Sequence, residues 1–216
     1  MDAQSPVAAA DSSANTGNET ALLEQMAKLA GDDAASRKQV LFDLAKSGDS
    51  RLEAFLENYR GGSVYLWNGQ IVVCTETEED EDFNELAPLT HPLTGEPVLG
   101  QDGKQAKPDI LDLEDMSPDR AGRLATRSAI FLLKLSSPDP ESRLVAVKKS
   151  GTPPYNAEAL PFLEDIAEND PDEKIQFTAR ESLLLIRLGT DVPLGQTAER
   201  WAAAGQLAQH HLRLDP

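Results

Sequence analysis

The chain has 216 residues, with 37 Asp and Glu against 20 Lys and Arg and a formal charge of −17. That balance excludes a nucleic-acid binder and a protein docking on anionic lipid, because both need clustered Lys and Arg. Hydrophobic residues make up 40% and aromatic residues 5%, which suits small-residue helix packing better than an aromatic-rich sandwich, and the lone Cys74 excludes an intrachain disulfide.

Residues 1–20 are small, polar and aperiodic, with neither the basic start nor the apolar core of a signal peptide, and read as a disordered tail or the start of a processed, mature chain. Thr20 is placed to cap a short helix over residues 21–30, with Leu22, Leu23, Met26 and Leu29 on one face and Gly31 at its end. Asp32 or Asp33 can cap a second helix to about Lys46, carrying Val40, Leu41 and Leu44 and stopped by Gly48. Asp49 or Ser50 can cap a third, with Leu52, Phe55, Leu56 and Tyr59 at helical spacing and Gly61-Gly62 as its stop. Residues 21–60 therefore read as a first helical repeat unit.

Residues 61–116 read as an acidic insertion of strand pair and loops, with a net charge of −11. The segments before and after it carry only −4 and −2. Two β-rich runs, Val64–Trp67 and Gln70–Val73, flank Asn68-Gly69, a strong signal for a type I′ hairpin. Glu76–Asp82 follows, with six acids in seven positions, and predicts a solvated, mobile loop. The Pro- and Gly-punctuated stretch from His91 to Val98 predicts turns with a further short strand pair at most. Residues 100–116 read as loop. An isolated hairpin is marginal in water, so this one should lean on the helices.

Residues 117–216 return to helical grammar. Ser117-Pro118 predicts a helix start, and Leu124, Ser128, Phe131, Leu132 and Leu135 share a face. Asp139-Pro140 opens a short helix to Ser150, with Gly151 as the stop. Asn156 can cap a helix carrying Leu160, Leu163 and Ile166. Asp170-Pro171, with Glu173 placed for a capping box, opens another that carries Ile175, Ala179, Leu183 and Ile186 and ends at Gly189. A last helix is predicted from about Thr197 to Leu212, with Trp201, Ala204, Ala208 and His211 on one face.

The two Asp-Pro pairs lie 31 residues apart, and Ser36-Arg37 to Gly48 echoes Ser142-Arg143 to Gly151. Helix pairs at such a period predict a mainly α fold: a HEAT-like helical-repeat solenoid interrupted by a small β-hairpin insertion.

No hydrolase elbow, zinc-protease or phosphate-loop motif occurs in the sequence. The acidic run lacks the alternating spacing and turn glycine of an EF-hand loop. His210 and His211 point to different sides of a helix, a poor geometry for one metal, and with His91 they read as solvent-facing or capping side chains. Cys74, on a strand, reads as buried or half-buried, and a catalytic thiolate there would need a nearby cationic partner. No catalytic residue, cofactor or metal is assigned. Tyr65 and Trp67 have one parity on their strand and should pack onto the helices, with a partner-facing aromatic patch as the sharper alternative. The candidate interaction residues are Tyr65, Trp67, Glu76, Glu78, Glu79, Asp80, Glu81 and Asp82.

Four features in order carry a resemblance: Ser47-Gly48-Asp49, the hairpin Val64–Val73, Thr94-Gly95-Glu96-Pro97 and Ser137-Pro138-Asp139-Pro140, with Arg123-Leu124 near the start of the helix that follows the insertion. Over about residues 22–190 the chain resembles the extracytoplasmic N-terminal region of permease subunits of urea-type ABC transporters, in the branched-chain amino acid transporter superfamily. The resemblance implies a HEAT-like accessory domain on the periplasmic side. Its partner would be a protein, a solute-binding protein or other transporter subunits. The family's chains continue into many membrane helices, and no apolar run of about 20 residues occurs here, so this chain has no membrane span. The resemblance therefore fits either the soluble region of such a subunit or a free-standing relative. A HEAT-repeat scaffold without a transport role is the alternative reading.

Overall fold

The computed structural model describes residues 11–189. Of these, residues 11–44 and 51–129 form one compact unit, and residues 45–50 and 130–189 form another. The fold is mainly helical with a small antiparallel sheet.

In the first unit, α1 (Asp11–Ala27) runs into a 3-10 turn at Lys28–Ala30. This corrects the reading of residues 1–20: residues 11–20 are helix, and Thr20 lies inside α1 instead of capping it. Residues 1–10 lie outside the described residues. Extending an existing helix gains one backbone hydrogen bond per residue fixed, so a helix anchored by buried Leu22 and Met26 propagates over polar sequence that could not nucleate alone. α2 (Ala34–Lys46) is capped by Asp33, whose Oδ2 accepts the Ser36 N–H at 2.8 Å. α3 (Arg51–Gly61) buries Leu52, Phe55, Leu56 and Tyr59. It ends in a Schellman turn: the Ser63 N–H donates to the Asn58 carbonyl at 3.0 Å and the Gly62 N–H to the Tyr59 carbonyl at 3.1 Å. Gly62 sits at φ +83, the left-handed conformation that this turn requires.

The insertion supplies five strands: β1 (Val64–Trp67), β2 (Gln70–Val73), β3 (Glu78–Glu79), β4 (Glu85–Leu86) and β5 (Glu114–Asp115). β1 and β2 pair antiparallel with Trp67 opposite Gln70, and Asn68 and Gly69 both have positive φ, as a type I′ turn needs. β5 pairs with the other edge of β1, and β3 pairs with β4. Residues 100–116 are therefore not all loop. Glu114-Asp115 carries no apolar or β-branched residue, so only the free edge of β1 defines it as strand. The insertion shares its unit with α1 to α3, and β2 rests against α1.

α4 (Arg120–Leu135) begins in the first unit, and from Ile130 its residues belong to the second. Its cap is Asp119, whose Oδ1 accepts the Gly122 N–H at 2.6 Å; the start predicted at Ser117-Pro118 moves two residues on. In the second unit, Asp139 caps α5 (Pro140–Ser150), accepting the Ser142 N–H at 2.9 Å, with Pro140 first in the helix. Asn156 caps a 3-10 turn at Ala157–Ala159 that leads into α6 (Leu160–Asn169). α7 (Glu173–Gly189) packs against both α5 and α6. Its cap is Asp172, accepting the Lys174 N–H at 2.8 Å, and not Asp170. The two Asp-Pro pairs thus play different parts, one opening a helix and one closing the helix before it. The predicted helix from Thr197 lies outside the described residues, as do His210 and His211.

Candidate functional site

The acidic run folds instead of hanging loose. Glu78 and Glu79 pair with Leu86 and Glu85, and the loop between the strands is held by one side chain. Asp80 Oδ1 accepts the N–H groups of Asp82 at 2.8 Å and Asn84 at 2.9 Å, while its Oδ2 accepts from the Asn84 side-chain amide at 2.9 Å. The Asn84 bonds, side chain first and backbone second, hold the Asp80 carboxyl below the usual carboxylate range. Glu78 pairs with Lys107. Glu76, Glu79, Glu81 and Asp82 are exposed, as expected of a solvated run, but the mobile loop of the sequence reading is a five-residue turn on a strand pair.

At the end of that turn stands Phe83, which sequence reading passed over. Its side chain is 81% exposed and its φ is +64. A bulky residue in the left-handed region is strained by about 1 kcal/mol or more, and an exposed phenyl ring gains nothing from the hydrophobic effect. The available signal was its place: the first apolar residue after seven almost wholly acidic ones.

Tyr65 and Trp67 share a strand face, as their parity required. They cover the insertion's own small core of Val72, Cys74, Ala87, Leu89 and Ala106. That corrects the expectation that they pack on the helices. The Val73 to Thr90 bridge brings the following segment alongside β2, and Ala87, Leu89 and Ala106 of that segment pack with the two rings. Both rings remain half-buried. Cys74 is buried, its thiol contacts the Glu76 carbonyl at 3.3 Å, and burial pushes its pKa up. It stays a thiol at neutral pH and is a poor nucleophile.

Between α1 and the insertion lies a groove of about 510 Å³, with Leu23, Ala27, Ile71, Val72, Pro97 and Val98 as its apolar lining. Glu19 stands at its rim between two partners, Arg51 at 2.9 Å and His91 Nε2 at 3.8 Å. His91 Nδ1 accepts the N–H groups of Leu93 and Thr94, both at 3.3 Å, so its ring caps its own turn and directs Nε2 toward Glu19.

A second groove, of about 410 Å³, has the opposite charge. Arg60 of α3 and Arg120, Arg123 and Arg127 of α4 line it, with Glu57 and Leu124. Arg60 pairs with Glu57 at 2.6 Å. Among the described residues, Arg120, Arg123 and Arg127 have no ion-pair partner, and all three are exposed. Their spacing of three and seven sets them on one helix face around Leu124, itself 62% exposed. The overall acidity hid this cluster, since its two helices are far apart in sequence.

Among the described residues no three His, Cys, Asp or Glu side chains are grouped to hold a metal ion, and no helix is long and apolar enough to cross a membrane. The chain matches no family model, no curated protein and no solved structure.

Proposed function

We propose that the chain is a non-catalytic protein-interaction domain, the extracytoplasmic accessory region of a urea- or amide-type ABC permease, which docks a solute-binding protein through its acidic hairpin. The observation that carries the docking surface is Phe83, exposed and strained at the tip of a rigidly held acidic turn. Exposure and strain both weigh against Phe83 in the free chain, and a partner surface that covers the ring would offset the first of them. The ring of exposed Glu79, Glu81 and Asp82 around it suits a basic partner surface and would speed encounter.

The transporter assignment rests on the ordered motifs, and two of them hold local geometry in this fold: Asn68-Gly69 turns the hairpin and Asp139-Pro140 starts α5. The HEAT-like reading draws support from the second unit, where α7 covers α5 and α6, and Arg143 of α5 reaches Asp170 at the end of α6. The shift of the α7 cap to Asp172 weighs on the other side, because it breaks the register of the Asp-Pro repeat.

The test is binding of the solute-binding protein of a urea-type ABC transporter, measured by biolayer interferometry across a salt series. Association should weaken steeply between about 50 and 500 mM salt, as screening of an exposed charged contact requires. Phe83→Gly separates docking from folding. It relieves the strained φ and should leave the melting temperature unchanged or higher, while binding falls at least about tenfold. Full binding by Phe83→Gly, or no binding by the native chain at low salt, would sink the proposal.

A further inference from the structure

The arginine groove is not used by the proposed docking, and the side chains that line it are mostly cationic. Four arginines against one glutamate stand together in a chain of net charge −17. Like charges held close repel one another, and three of these guanidinium groups have no carboxylate partner among the described residues. Leu124 lies in their midst with its side chain exposed. A single inorganic anion would satisfy the charges and leave Leu124 wet. The arrangement suits an extended acidic segment that also carries an apolar side chain. Arg120 to Arg127 spans about 10 Å of helix, the length of about three residues of extended chain.

The chain itself presents such a segment. The hairpin Glu78–Leu86 exposes Glu79, Glu81, Asp82 and Glu85, and among the described residues none of the four has an ion-pair partner. Phe83 stands out from the middle of them. Glu78 on Lys107 and Asp80 on Asn84 hold the hairpin in shape and leave those four carboxylates free to meet another surface. We propose that the hairpin of one copy docks in the arginine groove of a second copy, with Glu79, Glu81 and Asp82 meeting Arg120, Arg123 and Arg127 and Phe83 covering Leu124. Planar guanidinium forks pair with carboxylates through two hydrogen bonds each, which fixes register as well as charge. The contact joins two different surfaces of the chain, so it closes only where each copy contributes both. It also sets self-association in competition with any other partner that uses Phe83.

Sedimentation equilibrium of the full chain at about 0.1 M salt tests this, a strength at which repulsion between two acidic bodies is screened beyond about 10 Å. The weight-average mass should rise above that of the monomer between about 10 and 500 μM, the range in which weak protein contacts populate. Arg123→Glu with Arg127→Glu should weaken association at least about tenfold, and so should Glu79→Lys with Asp82→Lys. Lys148→Glu with Lys174→Glu adds the same negative charge elsewhere and should change little. Placing both reversed pairs in one chain should restore association in part, because the charges at positions 79, 82, 123 and 127 are then exchanged while Arg120 and Glu81 keep theirs. All four arginine and acid positions are exposed, and circular dichroism checks that each variant is folded. A native chain that stays monomeric throughout, association unaffected by the arginine reversal, or a combined variant that fails to recover would each overturn the proposal. Solute-binding-protein affinity does not enter this readout, so its outcome is separate from that of the docking test.

Discussion

Arg143 and Asp170 form a forked pair, Nε to Oδ2 at 2.8 Å and Nη2 to Oδ1 at 3.2 Å, with side chains only 12% and 3% exposed. The remaining nitrogen of the fork, Nη1, donates to the carbonyls of Ser137 at 2.8 Å and Pro138 at 3.1 Å. One guanidinium thus ties the residues after α4, through α5, to the end of α6. Asp170 in turn accepts the Asp172 N–H at 2.9 Å, and Asp172 caps α7.

Removing one member leaves the other charge buried without its partner. Asp170→Ala should lower stability by about 3 kcal/mol in urea unfolding, and Arg143→Lys by a smaller but clear amount, since an ammonium cannot reproduce the fork. Burial alone would raise the Asp170 pKa. The Arg143 hydrogen bonds, the Asp172 N–H and the Arg143 charge outweigh it, so the carboxyl lies below its ordinary value. A carboxylate lowered in the folded state stabilises the fold fully above its unfolded pKa of about 3.9. That stability is lost as pH falls through the folded value. The gap between the native chain and Asp170→Asn should therefore be widest near pH 7 and close under acid; a gap constant from pH 7 to about 2 would contradict this.

Gly62 and Gly69 both have positive φ but different surroundings. A Cβ on Gly62 would lie 2.8 Å from the Ser117 hydroxyl, and one on Gly69 would meet nothing within 4 Å. Gly69→Ala should cost about 1 kcal/mol of backbone strain, and Gly62→Ala about 2 kcal/mol. Adding Ser117→Ala should recover part of the second loss and none of the first. Equal thermal shifts for the two single variants would refute the steric account.

The acidic hairpin depends on Asp80. Asp80→Ala should speed amide exchange at Glu79 and Asn84 while leaving the helices of the second unit unchanged. Because the Asp80 pKa is depressed, the turn is held above the ordinary carboxylate range and released as pH falls through the lowered value. The amide resonances of Asp82 and Asn84, which bond to Asp80 Oδ1, should report that release. Titration of those amides at the ordinary Asp value would show that the bonds do not form.

Cys74 should resist alkylation. With its thiol buried and its pKa raised by burial, iodoacetamide labelling at pH 8 should be at least about tenfold slower in the folded chain than in urea. Labelling at the same rate in both states would place the side chain at the surface.

Much of the fold was legible because local rules act within a few residues. Asp139-Pro140 opens α5, Asn68-Gly69 turns the hairpin and Gly61-Gly62 closes α3, each by a bond between near neighbours. Where two local signals competed, sequence alone could not rank them. The starts read at Ser117 and Asp170 each moved two residues on, to caps at Asp119 and Asp172. Asp170 was removed from the contest by Arg143, 27 residues earlier in the chain.

The sequence by itself determined the helical character, the hairpin turn and the location of the excess negative charge, −11 of the −17, in residues 61–120. Periodicity, turn chemistry and composition are properties of contiguous chain. Tertiary structure alone decided that Tyr65 and Trp67 cover the insertion's core, that Phe83 stands out from a folded acidic turn, and that Arg60 joins Arg120, Arg123 and Arg127 in one groove. Each of those depends on which surfaces the folded backbone brings together or leaves in water, and neither is written in the order of the residues.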